Sequence, residues 1–257
     1  MSTTRTTGWI ALTTTLLTIG LMVFGGWVRI SGSGLGCPDW PLYHGEIIPS
    51  FETSTAIEFG HRLFAGVTIL MVAALTRASF RERVFRPLTY RASLGAFGTI
   101  LIQAIVGGIT VMTELHGFAV VTHLVLAMAT LLLLTLATLS VFRPSGNRMI
   151  MPGQSTILLL LGMVLLVLGG ILAATGYTAA CMELLCGDQT SNWPKFVHLT
   201  HRTFAILILL LLLAISMVTH QNGEKDKFVT SFVHGSTLLL LISILLGLLN
   251  IWHTFPQ

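Results

Sequence analysis

The stretch EFGHRLFA at residues 58–65 recurs 140 residues further along the chain as HLTHRTFA at residues 198–205. Glycines recur around both copies. A pair of glycines, Gly25 and Gly26, precedes the first copy, and a pair beginning at Gly169 precedes the second. Gly107, which follows the first copy, corresponds to a glycine at position 247. An internal repeat sets the architecture of a chain. Here the repeating unit contains four apolar segments.

The composition surrounding this repeat is that of a membrane protein. The chain has 257 residues, of which 53% are hydrophobic and 9% charged, and its mean hydropathy is +0.84. Soluble domains carry roughly 25% charged residues. This composition excludes a water-soluble globule, a disordered chain, a coiled coil and a nucleic-acid-binding protein, although the isoelectric point is near 9.3.

Seven apolar stretches are each long enough to cross a hydrocarbon layer of about 30 Å as a helix. The first is too long for a signal-peptide core and lacks a small-residue cleavage site, which predicts a retained helix. The sequence therefore predicts an all-α polytopic membrane protein whose seven transmembrane helices are Gly8–Ile30, Ile57–Thr76, Ala92–Met112, Phe118–Phe142, Ile157–Thr175, Phe196–Val218 and Phe228–Ile251.

The repeat predicts two parallel four-helix-bundle halves, residues 1–150 and 151–257. An even number of spans returns the chain to its starting side, so the halves are related by an axis along the membrane normal. The counterpart of His123 falls at position 263, whereas this sequence ends at Gln257. The eighth helix of the pattern is thus expected to be absent from this chain.

Basic residues predict the orientation, because loops rich in lysine and arginine stay in the cytoplasm. We expect a multi-pass protein of the plasma membrane with a cytoplasmic amino terminus and, after seven spans, the carboxyl end of this chain outside. All three cysteines then lie in outer loops. That side is oxidising, so Cys181 and Cys186 are expected to form a disulfide, the alternative being two free thiols. Ten of fourteen basic residues lie on the cytoplasmic side: Arg5, Arg77, Arg81, Arg83, Arg86, Arg91, Arg143, Arg148, Lys225 and Lys227.

Two intramembrane histidines lie at similar predicted depths. His61 is about four residues into the second span, or ~6 Å at the helical rise, and His123 is about five residues into the fourth, or ~8 Å. Two axial imidazoles from facing helices are what a membrane b-type haem requires. Cross-helix hydrogen bonding and a transition-metal site are the alternatives.

Charged side chains surround these histidines. Arg62 and Arg202 each follow a candidate ligand, and with Arg29 they are candidates to bind haem propionates, the alternative being arginines that extend to the membrane surface. Glu58 shares a helical face with His61. It is a candidate for proton exchange during oxidation of a substrate, or a structural partner of Arg62. In the second copy, His198 replaces this acid.

The sequence SGSGLGCPDWP at residues 31–41, Glu58-x-x-His61-Arg62, His123 and His201-Arg202 together resemble haem A synthase. The resemblance implies eight helices in two halves. It implies that His61 and His123 bind the iron of the substrate haem O, that His201 binds a haem b cofactor, and that Glu58 is the catalytic acid. The implied reaction oxidises the C8 methyl group of haem O to a formyl group by successive hydroxylation, giving haem A for cytochrome oxidase.

Expected partners are haem O, membrane lipid, an unidentified electron acceptor, haem O synthase and a haem-copper oxidase, with a homo-oligomer as a further candidate assembly. Two other functions use the same histidines. One is a di-haem b-type electron-transfer protein, which changes no haem covalently. The other is a haem-binding chaperone or transporter, which releases haem reversibly and does not depend on Glu58.

Overall fold

The chain forms two compact units, Met1–Ile150 and Met151–Gln257. A computed structural model describes residues 3–37, 39–42, 45–46, 48, 52–142, 162, 164–165, 168–169, 171, 192–221, 234–235, 237–238 and 240–245. The long elements of this described part are helices, which agrees with the predicted all-α class. They are α1 (Thr3–Ile30), α2 (Thr53–Arg81), α3 (Pro87–Met112), α4 (Gly117–Phe142) and α5 (Asn192–Gln221).

All five helices are long and apolar enough to span a membrane. They extend beyond the predicted apolar stretches: α2 begins at Thr53 and α5 at Asn192. Hydropathy marks where the hydrocarbon-compatible residues end, whereas polar residues can continue the same helix into the interface. The described residues of the predicted fifth and seventh spans are also helical. The complete set of seven spans and the parallel repeat remain predictions.

In the first unit, each of α1 to α4 packs against two neighbours. The packed pairs are α1–α2, α2–α3, α3–α4 and α1–α4. This cyclic order is that of a four-helix bundle in which α2 and α4 lie diagonally opposite each other. One end of the bundle carries the segment between α1 and α2, and we call it the loop end. The other carries the short connection between α2 and α3.

The bundle interior combines small apolar side chains with hydroxyl groups. Its core includes Ala11, Ala96 and Ala137 packed with Leu75 and Leu134, and small residues let membrane helices approach closely. Buried hydroxyls bond to carbonyls of their own helix or pair across helices. The cross-helix pairs are Thr15 with Thr138 at 2.9 Å, Thr99 with Thr130 at 2.9 Å, and Thr89 with Ser140 at 2.7 Å.

At the loop end, the segment between α1 and α2 folds back onto the bundle. Gly36 packs so closely on Ser54 that an added Cβ atom would lie 2.6 Å from the Ser54 carbonyl oxygen. Gly108 of α3 likewise packs against the Trp40 ring, with the corresponding distance to Cδ2 also 2.6 Å. Glycine permits such close approaches because it has no Cβ. The segment is therefore held against both α2 and α3.

Candidate functional site

Three predicted ligand histidines each pack against a glycine of another segment. A Cβ atom added to Gly25, Gly107 or Gly169 would lie 3.1 Å from Cε1 of His61, His123 or His201, respectively. That distance is shorter than ordinary van der Waals contact, so any larger residue would push the ring away. The imidazoles therefore occupy space that the glycines leave open.

His201 also shows which of its ring nitrogens carries hydrogen. Its Nδ1 lies 3.2 Å from the backbone carbonyl oxygen of Leu165, four residues before Gly169. A carbonyl oxygen only accepts, so in this hydrogen bond Nδ1 donates and the neutral ring keeps its lone pair on Nε2. Metal-bound histidines commonly donate their second nitrogen in this way. His201 is thus oriented as a ligand would be.

The other two histidines belong to the first unit and lie near each other. His61 is on α2 and His123 on α4, the helices at opposite corners of the bundle, so both rings reach its interior. Each Nδ1 is buried without a hydrogen-bond partner in the described structure, and the backbone of Gln103 lies close to the His123 ring. That these two rings occupy one level in the membrane remains a prediction.

The pair of histidines, His61 and His123, differs from a metal site in which protein side chains supply all the ligands. Such sites usually gather three or four histidine, cysteine or acidic side chains. Among the residues that the structure describes, no group of three such side chains could hold a metal ion. Two opposed imidazoles instead suit a ligand that brings its own equatorial donors, such as an iron porphyrin.

Glu58 lies one helical turn before His61 on α2 and is buried, with 3% of its surface exposed. Its Oε1 accepts a hydrogen bond from Nη2 of Arg62, and its Oε2 accepts one from the backbone N–H of Cys37 at 2.9 Å. Both oxygens act as acceptors, which the ionised carboxylate can do without a donor of its own. Glu58 therefore joins α2 to the preceding loop as well as lying near the histidines.

Arg62 makes further contacts with the same loop. Its Nη2 donates to the Asp39 carbonyl oxygen at 3.2 Å, and its Nη1 donates to the Leu42 carbonyl oxygen at 3.3 Å. A carboxylate ligand that approached this guanidinium would compete with these carbonyl groups and with Glu58. The structural role that the sequence offered as an alternative for Glu58, a partner of Arg62, is present in the structure.

Cys37 connects the loop to the electrostatics of the site. Its side chain is fully buried and its thiol is free. Burial raises the pKa of this thiol, and the nearby Glu58 carboxylate raises it further, because both disfavour the thiolate. The thiol therefore stays protonated and weakly nucleophilic at neutral pH.

The remaining predicted site residues are distributed over both units. Arg29 is exposed in the last turn of α1. In α5, Arg202 is half-buried and His198 is buried, so the residue that replaces Glu58 in the second copy is also withdrawn from solvent. Cys181 and Cys186 lie outside the described residues, and their predicted disulfide remains a prediction.

Two kinds of residue in this region are not evident from the sequence patterns. Gly25, Gly107 and Gly169 were noticed as repeated glycines but were not matched to the histidines they contact. Gln103 was overlooked because only ionisable side chains were considered, yet its Oε1 is buried without a hydrogen-bond partner in the described structure. A search for neutral amides within apolar spans would have found it.

Comparison with known proteins now adds the family. The sequence profile of the COX15-CtaA family, described as cytochrome oxidase assembly protein, matches residues 8–56 and 48–257. This match extends over nearly the whole chain. The chain belongs to the COX15-CtaA family. Membership confirms the resemblance drawn from the loop and histidine motifs and supports the assignment as a membrane protein.

Several curated relatives of this chain are named heme A synthase. That of Exiguobacterium sibiricum is 30% identical over 204 residues, covering 73% of this chain and 66% of that protein. Heme A synthase of another Exiguobacterium strain is 25% identical, covering 89% of this chain and 78% of its own. The heme A synthase of Macrococcus caseolyticus is 25% identical, and the match covers 95% of this chain and 86% of that protein. The chain thus spans about two thirds or more of these family members.

Proposed function

We propose that this chain is a haem A synthase, an oxidoreductase that converts the C8 methyl group of haem O into a formyl group by successive hydroxylation. The observation that carries the proposal is the pair His61 and His123. Each ring packs against a glycine, and the two belong to diagonally opposite helices of a membrane bundle. Membership of a family whose curated relatives are named heme A synthase supports the same reaction.

In this proposal His61 and His123 bind the iron of the substrate haem O within residues 1–150. His201 holds a haem b cofactor within residues 151–257. The fit of His201 to this role rests on its donated hydrogen bond to Leu165, which leaves the Nε2 lone pair for iron. When bound, haem b would supply one-electron transfer.

Glu58 is proposed as the acid–base residue. Converting a methyl to a formyl group with oxygen from water releases four protons and four electrons, so the site needs a proton acceptor and an external electron acceptor. The Glu58 carboxylate lies one helical turn from His61, and to take up a proton it would have to give up a hydrogen bond that it now accepts from Arg62 or from the Cys37 N–H. Proton arrival would weaken its pair with Arg62 and free that guanidinium.

Arginine side chains are proposed to bind the haem propionates. Arg62 serves the first half and Arg202 the second, with Arg29 as a further candidate. A guanidinium can bind a carboxylate through two parallel hydrogen bonds. In the first half, a propionate would take over Arg62 contacts now made to loop carbonyl groups.

The setting we propose is the plasma membrane, with the amino terminus in the cytoplasm and the end of this chain outside. Cys181 and Cys186 form a disulfide on the outer side. Haem O synthase, which makes the substrate, and a haem-copper oxidase, which uses the product, are the proposed neighbours, and the electron acceptor is a further partner. A homo-oligomer remains a candidate assembly.

The proposal is tested in a membrane that makes haem O but no haem A. Haems are extracted after expression of the chain and identified by chromatography and mass spectrometry. We expect the formyl product with the wild type and its loss with Glu58→Gln and His61→Ala. Glu82→Gln is the matched control, because Glu82 is also a buried, hydrogen-bonded carboxylate but lies at the opposite end of α2.

Unchanged haem O in the presence of folded, full-length wild type would refute the synthase proposal. Retention of haem without covalent change would favour the electron-transfer protein. Reversible haem release that is indifferent to Glu58→Gln would favour the chaperone or transporter.

A further inference from the structure

Gln103 carries a buried acceptor that the proposed reaction does not use. Its Oε1 is withdrawn from solvent and has no hydrogen-bond partner in the described structure. Neighbouring hydroxyls are satisfied: Thr130 donates to Thr99, and Thr110 donates to the Gly107 carbonyl. Leaving a buried amide oxygen unpaired is unfavourable, and polar side chains inside a membrane often belong to functional sites.

The position of Gln103 relates this acceptor to the histidine site. Gln103 lies four residues before Gly107 on α3, so the two share a helical face and are separated by ~6 Å along the axis. Gly107 contacts the His123 ring, and Thr99, four residues further from the loop end, pairs with α4. Gln103 therefore lies on the α3 face that meets α4, one turn deeper than the imidazole.

We propose that Gln103 Oε1 accepts a hydrogen bond from the hydroxyl of the hydroxyethylfarnesyl side chain of haem O. This inference rests on the proposed function. Haem O has one neutral hydroxyl, and haem b carries a vinyl group at the same ring position. Ionised propionates only accept hydrogen bonds, and methyl and vinyl groups do not donate. An unpaired acceptor beside the ring therefore distinguishes haem O from haem b.

The positions of the substituents on the porphyrin agree with a hydroxyl group located deeper in the bundle than the propionates. The propionates occupy one edge of the ring, and the hydroxyethylfarnesyl chain is attached at the opposite edge. Arg62, the proposed propionate partner, contacts the loop segment at the loop end. A ring whose propionates face Arg62 directs its opposite edge deeper into the bundle, towards the level of Gln103.

The second half of the chain has a different residue at this position. At the repeat spacing of 140 residues, which pairs Gly107 with a glycine at position 247, Gln103 corresponds to Ser243. A serine side chain is two bonds shorter and lacks the amide oxygen. The half proposed to hold haem b, which has no such hydroxyl, thus has a shorter hydroxyl side chain in place of the amide.

The test measures haem selectivity rather than turnover. The full chain, carrying His201→Ala so that the second site contributes less to the signal, is titrated in detergent with haem O and separately with haem b, following the Soret absorbance. Gln103→Leu should weaken haem O binding by about three- to ten-fold, the value of one neutral hydrogen bond. Its affinity for haem b should stay unchanged.

Thr99→Val is the matched control, since it removes another intramembrane polar group from the same face and leaves Thr130 bonded to the Leu126 carbonyl. It should leave the selectivity unaltered. Gln103→Met, which keeps an unbranched side chain, replaces the leucine variant if that one does not fold.

Unchanged haem O affinity, or equal weakening for both haems, in a folded Gln103 variant would overturn the inference. The synthase proposal depends on methyl oxidation by the wild type, which that result does not affect. Conversely, if haem O is preferred in a Gln103-dependent way but its methyl group is not oxidised, the Gln103 contact would be supported and the synthase proposal refuted.

Discussion

Gly25, Gly107 and Gly169 act through the side chain that they lack. Each leaves room for one imidazole ring, at a distance where a methyl group would be in close contact. The ring is thereby confined between helices without a covalent or ionic restraint. Confinement fixes the direction of a ligand, and fixed direction is what axial coordination of a haem requires.

Replacing Gly25 by alanine should displace His61. The new Cβ would lie 3.1 Å from Cε1, and overpacking of this kind costs about 1–3 kcal/mol. We expect haem binding by the first half to weaken about ten-fold or more, measured by haem titration of the purified chain. Gly26→Ala is the control because its added Cβ meets nothing within 4 Å. Equal affinities of the two variants would contradict the role given to Gly25.

The raised pKa of Cys37 predicts slow alkylation. Only the thiolate reacts, and burial together with the Glu58 carboxylate disfavours it. As the pH rises, modification by iodoacetamide should therefore reach half its maximal rate at a higher pH for Cys37 than for a free cysteine peptide. Mass spectrometry of the Cys37 peptide measures the rate. A midpoint equal to that of the peptide would show that the buried environment does not act on the thiol.

At this scale the sequence identifies candidate ligands better than it identifies their surroundings. Histidines within apolar spans stand out because they are rare there, so His61, His123 and His201 were predicted. Their glycine partners were not, because matching them requires knowing which helix faces meet. The partners of Glu58 were equally inaccessible, since the path of the loop that brings Cys37 to it is a tertiary property.

Among the elements, the segment between α1 and α2 has the most specific attachment. It is hydrogen-bonded to Glu58 and Arg62 of α2, and its Trp40 packs against Gly108 of α3. Gly108 is next to the glycine that accommodates His123. One loop thus contacts two helices at the end of the bundle that carries His61 and His123.

Gly108→Ala should loosen this loop. The added Cβ would lie 2.6 Å from Cδ2 of Trp40, which is too close for the ring to remain in place. We expect Cys37 to be alkylated at least several-fold faster, measured by mass spectrometry at fixed pH. Gly98→Ala is the control, because it lies in the same helix and its Cβ would meet open space. An unchanged rate would mean that Trp40 does not hold the loop.

Helix positions followed from hydropathy, whereas helix ends and neighbours did not. A window of apolar residues identifies a span because the bilayer requires about 20 of them. The polar first turn of α2, starting at Thr53, lies outside that window although it is helical. The cyclic order that places α2 and α4 diagonally depends on packing, to which the weakly amphipathic sequences give little direction.

For the whole molecule, the distribution of arginines predicts orientation. The connection between α2 and α3 carries exposed Arg83, and the loop end carries exposed Glu46. In intact spheroplasts, a membrane-impermeant maleimide should label Glu46→Cys but not Arg83→Cys, which should react only after permeabilisation. Identification of labelled peptides by mass spectrometry leaves the native cysteines in place. Labelling of Arg83→Cys in intact spheroplasts would reverse the topology.

The three glycine–histidine contacts also define a simple pairing rule that can be used in the design of artificial cytochromes. The partners are separated by 36, 16 and 32 residues in the chain, so their register in space is kept while connecting lengths vary freely. Two packed apolar helices need one glycine on one helix and one histidine at the same height on the other, whatever the length of the connection. A search of membrane-protein sequences for such pairs would identify candidate haem-binding proteins that overall similarity overlooks.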